Sequence, residues 1–195
     1  MRFSPFFARI RFTRTATASI ALLAMLVAAP VPSRADEETF VLLYEPPAEE
    51  WELVHDPNRP DARLWKSRKN EKEHFRIEVL RGAADSVAQI RMALDEPGKA
   101  SCARFDTTTI RESSVNGYPR LVWRTDCERD DGTRTTLLQL VIRGRDAIHL
   151  AIKSWPGGAA GEDFESWLGR FQRAFVCDTR RPAQACPPGV GAGDA

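Results

Sequence analysis

Histidine is scarce in this chain, and what is missing around it limits the chemistry available. The 195 residues hold three histidines, His55, His74 and His149, and none sits in an H-E-x-x-H or related pair that would place two imidazoles on one helix face. There is no C-x-x-C, and no histidine lies within a few residues of a cysteine, so the usual zinc ligand sets and a low-pKa redox pair are both absent. Without a G-x-S-x-G elbow or an S-x-x-K, serine chemistry has no recognisable carrier. Asp126 to Gly132 (DCERDDG) has the look of a calcium loop, but its glycine falls one position late and Leu137 stands where a closing glutamate should be. Asp130 and Asp131 precede a turn glycine, where aspartate serves local hydrogen bonding rather than acid–base work. No cofactor and no metal are expected.

Long apolar runs are also lacking, with one exception at the start. Ala16 to Ala29 (ATASIALLAMLVAA) follows Arg2, Arg9, Arg11 and Arg14 and precedes Ser33-Arg34-Ala35, which puts small residues at the −3 and −1 positions of a peptidase site. About 20 apolar residues are needed to cross a bilayer, so this shorter run, closed by Pro30 and Pro32, reads as a signal peptide cut after Ala35 rather than as an anchor. No cysteine lies near the cut, which argues against lipid attachment. The expected destination is the periplasm or the exterior, with no integral membrane segment left after cleavage.

A positive stripe is missing too. Residues 1–35 carry five arginines and no acid, which leaves the remainder with 23 Lys and Arg against 27 Asp and Glu. Its basic residues are interleaved with acids, as in Arg59-Pro60-Asp61-Ala62-Arg63, so nucleic acid is an unsuitable partner.

What the chain does have is four cysteines, an even number suited to an oxidising compartment. Cys102 and Cys127 flank two strands folded back around Ser113 to Gly117, while Cys177 and Cys186 bracket a short polar loop. Of the three connectivities, Cys102–Cys127 with Cys177–Cys186 is therefore expected. The anticipated organisation is a signal peptide (1–35), a single α+β domain (36–178) and a disulfide-pinned loop with a Pro/Gly-rich tail (179–195).

Within the domain, Thr39 to Tyr44 reads as a first strand, and Trp51 to Val54 as an irregular segment capping the core. Leu64 to Ser67 and Phe75 to Leu80 read as strands, the second by its period-2 alternation. Asp85 to Leu94 has helical spacing and is expected to stop at Pro97-Gly98. Four strands should follow, approximately Cys102–Glu112, Tyr118–Asp126, Thr133–Arg143 and Ala147–Trp155, with turns at Asn116-Gly117, Asp131-Gly132 and Gly144-Arg145-Asp146. Glu162 to Phe175 places Phe164, Trp167, Leu168, Phe171 and Phe175 on one helical face. The expected fold is α+β, an antiparallel sheet of about six to seven strands with two main helices.

The succession Val115-Asn116-Gly117-Tyr118-Pro119, long strand, Asp131-Gly132 turn, strand, Gly144-Arg145-Asp146 turn, strand and amphipathic helix resembles the PsbP-like α/β/α sandwich, including small periplasmic proteins of the DcrB kind. The resemblance covers Thr39 to Cys177. It implies a mostly non-enzymatic role as an accessory, adaptor or chaperone-like binder, with an envelope protein or peptide as partner. The two cysteine pairs and the missing lipid-attachment cysteine depart from that pattern.

Candidate binding residues are Trp51, Trp65 and Trp155, because an exposed aromatic cluster would mark a partner groove, together with His149 and Lys153 on the last long strand. There His149, Lys153 and Trp155 share a face with Ala147 and Ala151, a pattern that a helix packed closely over the strand also produces. Two readings follow. One is an exported, non-enzymatic domain that recognises a protein, peptide or hydrophobic segment; the other is an envelope enzyme or enzyme inhibitor with a site near His149 and Lys153.

Overall fold

The structure is a computed structural model that describes residues 38–42, 45–57 and 59–188. The leader, its cut after Ala35, the end of the first strand at Tyr44 and the last residues of the tail lie outside the described residues. Seven strands form one antiparallel sheet in the order β2 (Trp51–Val54), β3 (Ala62–Ser67), β4 (His74–Arg81), β8 (Ala147–Pro156), β7 (Arg134–Arg143), β6 (Tyr118–Glu128) and β5 (Arg104–Val115). Two helices, α1 (Val87–Ser101) and α2 (Gly161–Arg173), pack on opposite faces. This is the α+β class and the sandwich arrangement that the order of turns and strands implies.

Each face has its own core. On one, Phe164, Trp167 and Phe171 of α2 meet Phe75, Val122, Leu138, Leu140 and Ala151; on the other, Ile90 of α1 meets Leu121, Trp123, Val141, Ile148 and Leu150. Because both faces are covered, β7 and β8 are buried in both directions, and Leu140, Val141, Ile142 and Ile148 are wholly buried. The close packing that Ala151 permits is realised, with α2 lying over its face.

Three elements differ from expectation. Trp51–Val54 is a true edge strand, pairing with β3 from Trp51 opposite Ser67 to Val54 opposite Leu64. Helix α1 does not stop at Pro97-Gly98 but runs on to Ser101. Proline costs one backbone hydrogen bond there, Ser101 donates its hydroxyl to the Pro97 carbonyl at 2.7 Å, and Gly98 is small for a different reason. A Cβ on it would lie 2.4 Å from Cε2 of Phe105, so the glycine admits that ring against the helix. Finally, α2 ends at Arg173, and Phe175 opens a strand, β9 (Phe175–Asp178), whose antiparallel partner is β1 (Glu38–Val41) in a separate two-stranded sheet. The first strand thus pairs outside the main sheet.

Side chains secure the start of α1 and the end of α2, whereas the start of α2, at Ala160, has no side-chain cap. Ser86 and Gln89 form a reciprocal capping box at the start of α1. Arg120, buried and reaching from β6, donates to the Gln172 carbonyl at 2.8 Å and the Ala174 carbonyl at 3.3 Å, placing a cation at the negative end of α2. Asp95 of α1 is buried and anchors the helix to the sheet. Its Oδ1 accepts from Trp123 Nε1 at 3.1 Å and Thr125 Oγ1 at 3.3 Å, and its Oδ2 from Arg91 Nε and Thr107 Oγ1, both at 3.4 Å. Asp95→Ala leaves the indole N–H and a threonine hydroxyl buried without their acceptor, so the expected loss is about 2 kcal/mol in a urea unfolding curve, with Asp95→Asn losing less.

Both disulfides are present in the expected pairing. Cys102–Cys127 ties the end of α1 to β6 with a Cα separation of 5.5 Å, and Cys177–Cys186 pins the C-terminal loop to β9 at 4.9 Å.

Candidate functional site

The five candidate binding residues all lie inside the protein. Trp51, Trp65 and Trp155 are buried members of the α2-side core, so none contributes to an exposed aromatic groove. Trp65 stacks on Phe75 with ring centroids 5.2 Å apart. Trp51, Trp155 and Trp167 instead enclose the ammonium of Lys153, at 4.8, 4.6 and 5.3 Å from the respective ring centroids, and Glu73 pairs with that ammonium. Lys153 has no exposed surface. Burial pushes its pKa down, opposed by the hydrogen bond and charge of Glu73.

His149 belongs to a different cluster. Four residues from Lys153 along the same strand, about 13 Å at ordinary strand rise, it stacks on Phe40 of β1 with centroids 5.7 Å apart. Its Nε2 is 3.8 Å from Glu38 Oε2, beyond hydrogen-bond reach, and neither ring nitrogen has a hydrogen-bond partner. The two residues are not brought together into one site.

Glu38 enters the turn between β7 and β8. Its carboxylate accepts from the backbone N–H of Arg145 and, at 3.0 Å, from that of Asp146. Gly144 is required by this approach, since a Cβ there would stand 2.2 Å from Glu38 Oε2. Burial works to raise the Glu38 pKa, but the neighbouring His149, the two amides and Tyr118 outweigh it and bring the pKa down to about 2. Tyr118 moves the other way, to about 12, mainly through burial and then through the charge of Glu38. A carboxylate with a depressed folded pKa stabilises the fold above its unfolded pKa and ceases to do so as the pH falls through the folded value. The Glu38 contribution to holding β1 is therefore expected in full above about pH 4.5 and to fade toward pH 2. Amide exchange at Phe40 and Val41 across an acid titration measures it; protection that is unchanged down to pH 2 would refute the assignment.

Accessible chemistry is found at the other end of the sheet. β5 is twelve residues long and closes the sheet, and among the described residues no strand pairs with its outer edge. Asp106 to Thr109 is exposed and polar on both faces, and a bulge places Ile110 as an extra residue between Thr109, opposite Trp123, and Arg111, opposite Val122. Clefts adjoin this strand on both faces. One, about 350 Å³, lies between α1 and β5 and is bordered by Arg91, Met92, Lys99, Thr107, Glu112 and Leu121. The other, about 330 Å³, is bordered by Arg104, Asp106, Arg124, Asp126, Arg134 and the Gly157–Ala159 turn. Charges in the second are mutually paired, with Arg124 chelating Asp126 at 2.6 and 2.9 Å and Arg134 meeting Glu128 at 3.2 Å. In the first, Arg91 is held by Asp95 and by the Thr107 and Thr109 hydroxyls. Among the described residues no group of three or more His, Cys, Asp or Glu is placed to hold a metal ion, and no helix is long and apolar enough to cross a membrane.

No protein-family model matches the chain, and no curated protein does. Solved structures give distant likenesses. Cyanobacterial PsbP from Synechocystis sp. PCC 6803 is 9% identical over 75% of this chain and 94% of its own, with a TM-score of 0.44. LpqN of Mycobacterium tuberculosis, described as involved in cell envelope biogenesis, is 10% identical over 72% of this chain and 84% of its own, at 0.43. A protein of Bacteroides thetaiotaomicron is 15% identical over 71% of this chain, at 0.40, and this chain spans 45% of that protein's length. At these values the likenesses carry no argument about sites or role. The fold assignment rests on strand order and helix placement.

Proposed function

We propose that the protein is an exported domain, cut after Ala35, that binds an extended protein or peptide segment by adding it as a strand to β5. The observation that carries this reading is a twelve-residue strand whose outer edge no strand pairs among the described residues, with a cleft on either face. An added strand gains main-chain hydrogen bonds along the edge, and its alternate side chains point to opposite faces, toward one cleft and then the other. Long flat edges are hazards that proteins usually blunt. Here the blunting is partial: charges stand at Arg104, Asp106, Arg111 and Glu112 and the bulge falls at Ile110, while Thr107 to Thr109 is left uncharged. Two disulfides agree with an oxidising compartment. On this reading residues 36–178 are the working domain, and the partner is an envelope protein or peptide.

The test begins with a random-peptide display selection against the mature protein. An enriched peptide is expected to shift the amide resonances of Thr107 to Glu112. Proline is then placed at Thr107 or Thr108. Adjacent amides on a strand point to opposite edges, so one of these variants keeps every backbone bond to β6 and loses an outward donor; at Thr107 the hydroxyl that meets Arg91 and Asp95 is lost as well. That variant is expected to stay folded yet bind the peptide at least about tenfold more weakly. Shifts confined to residues outside β5 and its clefts, or no enrichment at all, would sink the proposal.

A further inference from the structure

The cluster around Glu38 has the construction of a ligand site occupied by the protein's own chain. Its parts come from three separate elements: the paired amides of Arg145 and Asp146, the imidazole of His149 on β8, and the free edge that β9 offers to β1. Gly144 keeps the approach to the amides open. Among the described residues β1 covers Glu38–Val41 and pairs as a strand with β9 and no other. Its fit is also incomplete. His149 is 1% exposed, yet both of its ring nitrogens go without a hydrogen bond while a carboxylate oxygen stands 3.8 Å away. Buried polar atoms are ordinarily satisfied, and one left unmet beside an acceptor marks a contact that Glu38 does not complete.

We propose that this is a second peptide site, independent of β5, which takes an extended segment bearing a carboxylate two residues before an aromatic ring, and that Glu38–Leu42 fills it in cis. The spacing follows from the strand itself. Residues two apart share a face, and on that face Glu38 reaches the amides while Phe40 stacks on His149. An incoming strand of the same pattern replaces β1 on β9. A carboxylate placed about 1 Å nearer the ring than that of Glu38 gives His149 the hydrogen bond it lacks, since 3.8 Å exceeds hydrogen-bond length by roughly that amount. Charge-assisted bonds of this type are the strong ones, which makes the carboxylate the deciding feature of the ligand.

The probe is a fluorescent pentapeptide copying residues 38–42, with its Gln-for-Glu analogue as control, titrated by anisotropy into the mature protein and into its Glu38→Gln variant. The variant's internal strand is weakened, so it is expected to bind the acidic peptide about tenfold or more tightly than the parent and to reject the Gln analogue by a similar factor. The His149 ring resonances should move on binding, whereas β5 amides should not, which separates this site from the β5 edge. Equal affinity for the two peptides overturns the proposal. So does absence of binding at about 1 mM peptide by a variant whose near-UV spectrum matches the parent's, as does a variant that dimerises by strand exchange and excludes the peptide. If the variant does not fold, the parent is titrated with the acidic peptide and amide exchange at Phe40 and Val41 is followed; faster exchange supports displacement of β1, and unchanged exchange refutes it.

Discussion

Replacing Cys102 and Cys127 together by serine is expected to remove about 3.5 kcal/mol of stability. The bond closes a loop across a sequence separation of 25 residues, and the chain-entropy relation for a loop of that length gives a value near this figure. Its position adds a local effect. Cys102 is the residue that ends α1, its N–H donating to the Gly98 carbonyl, and Cys127 is on β6 opposite Phe105. Cutting the bond frees the last turn of a helix already short of one hydrogen bond at Pro97. Urea titrations of the oxidised protein and the double serine variant measure the difference, and a loss under about 1 kcal/mol would show that the loop is closed by packing alone. The shorter Cys177–Cys186 loop spans a sequence separation of 9 and should matter less.

The second large effect concerns Lys153. Glu73→Ala leaves an ammonium with no exposed surface facing three indoles and no paired carboxylate, and the expected cost is about 3 kcal/mol. Lys153→Met keeps the length and removes the charge. That variant should stay within about 1 kcal/mol of the parent, because apolar replacement of a buried charge is often neutral or better. The asymmetry is the point of the experiment. If both variants lose equally, the interaction of the ammonium with Trp51, Trp155 and Trp167 contributes stability of its own; if neither loses, Lys153 escapes to solvent in the folded state.

Much of the fold could be read from the chain, because its cues are local. The alternation of Phe75, Ile77 and Val79, the Asn116-Gly117 and Asp131-Gly132 turns, the apolar face of α2 and the cysteine spacing each fix structure across a sequence separation of at most 25. What escaped reading depends on distant partners. β1 and β9 pair across nearly the whole domain, Glu38 opposite Asp178, and no neighbouring residue announces that pairing. Pro97-Gly98 carries the usual signal of a helix end, yet the helix persists because Phe105 and Ser101 secure its last turn.

The candidate residues were legible as types but not in their exposure. An indole serves a core or a surface equally well, and a lysine on an apolar strand appears solvated until Glu73 and three rings are placed around it. The Glu38 cluster has no motif, since its amides are backbone groups. β5 did carry a signal: Asp106-Thr107-Thr108-Thr109 has no apolar face, which is what a strand at the margin of a covered sheet looks like.

Covering the sheet on both sides also determines the shape of any contact the molecule can make through it. With α1 over one face and α2 over the other, β5 offers a line of amides and carbonyls about 40 Å long by ordinary strand rise, rather than a patch. A line of backbone groups reads conformation before it reads side chains. Partners docking on it could therefore diverge widely in sequence while keeping their grip, provided each can straighten over a few residues and avoid proline at inward-facing positions.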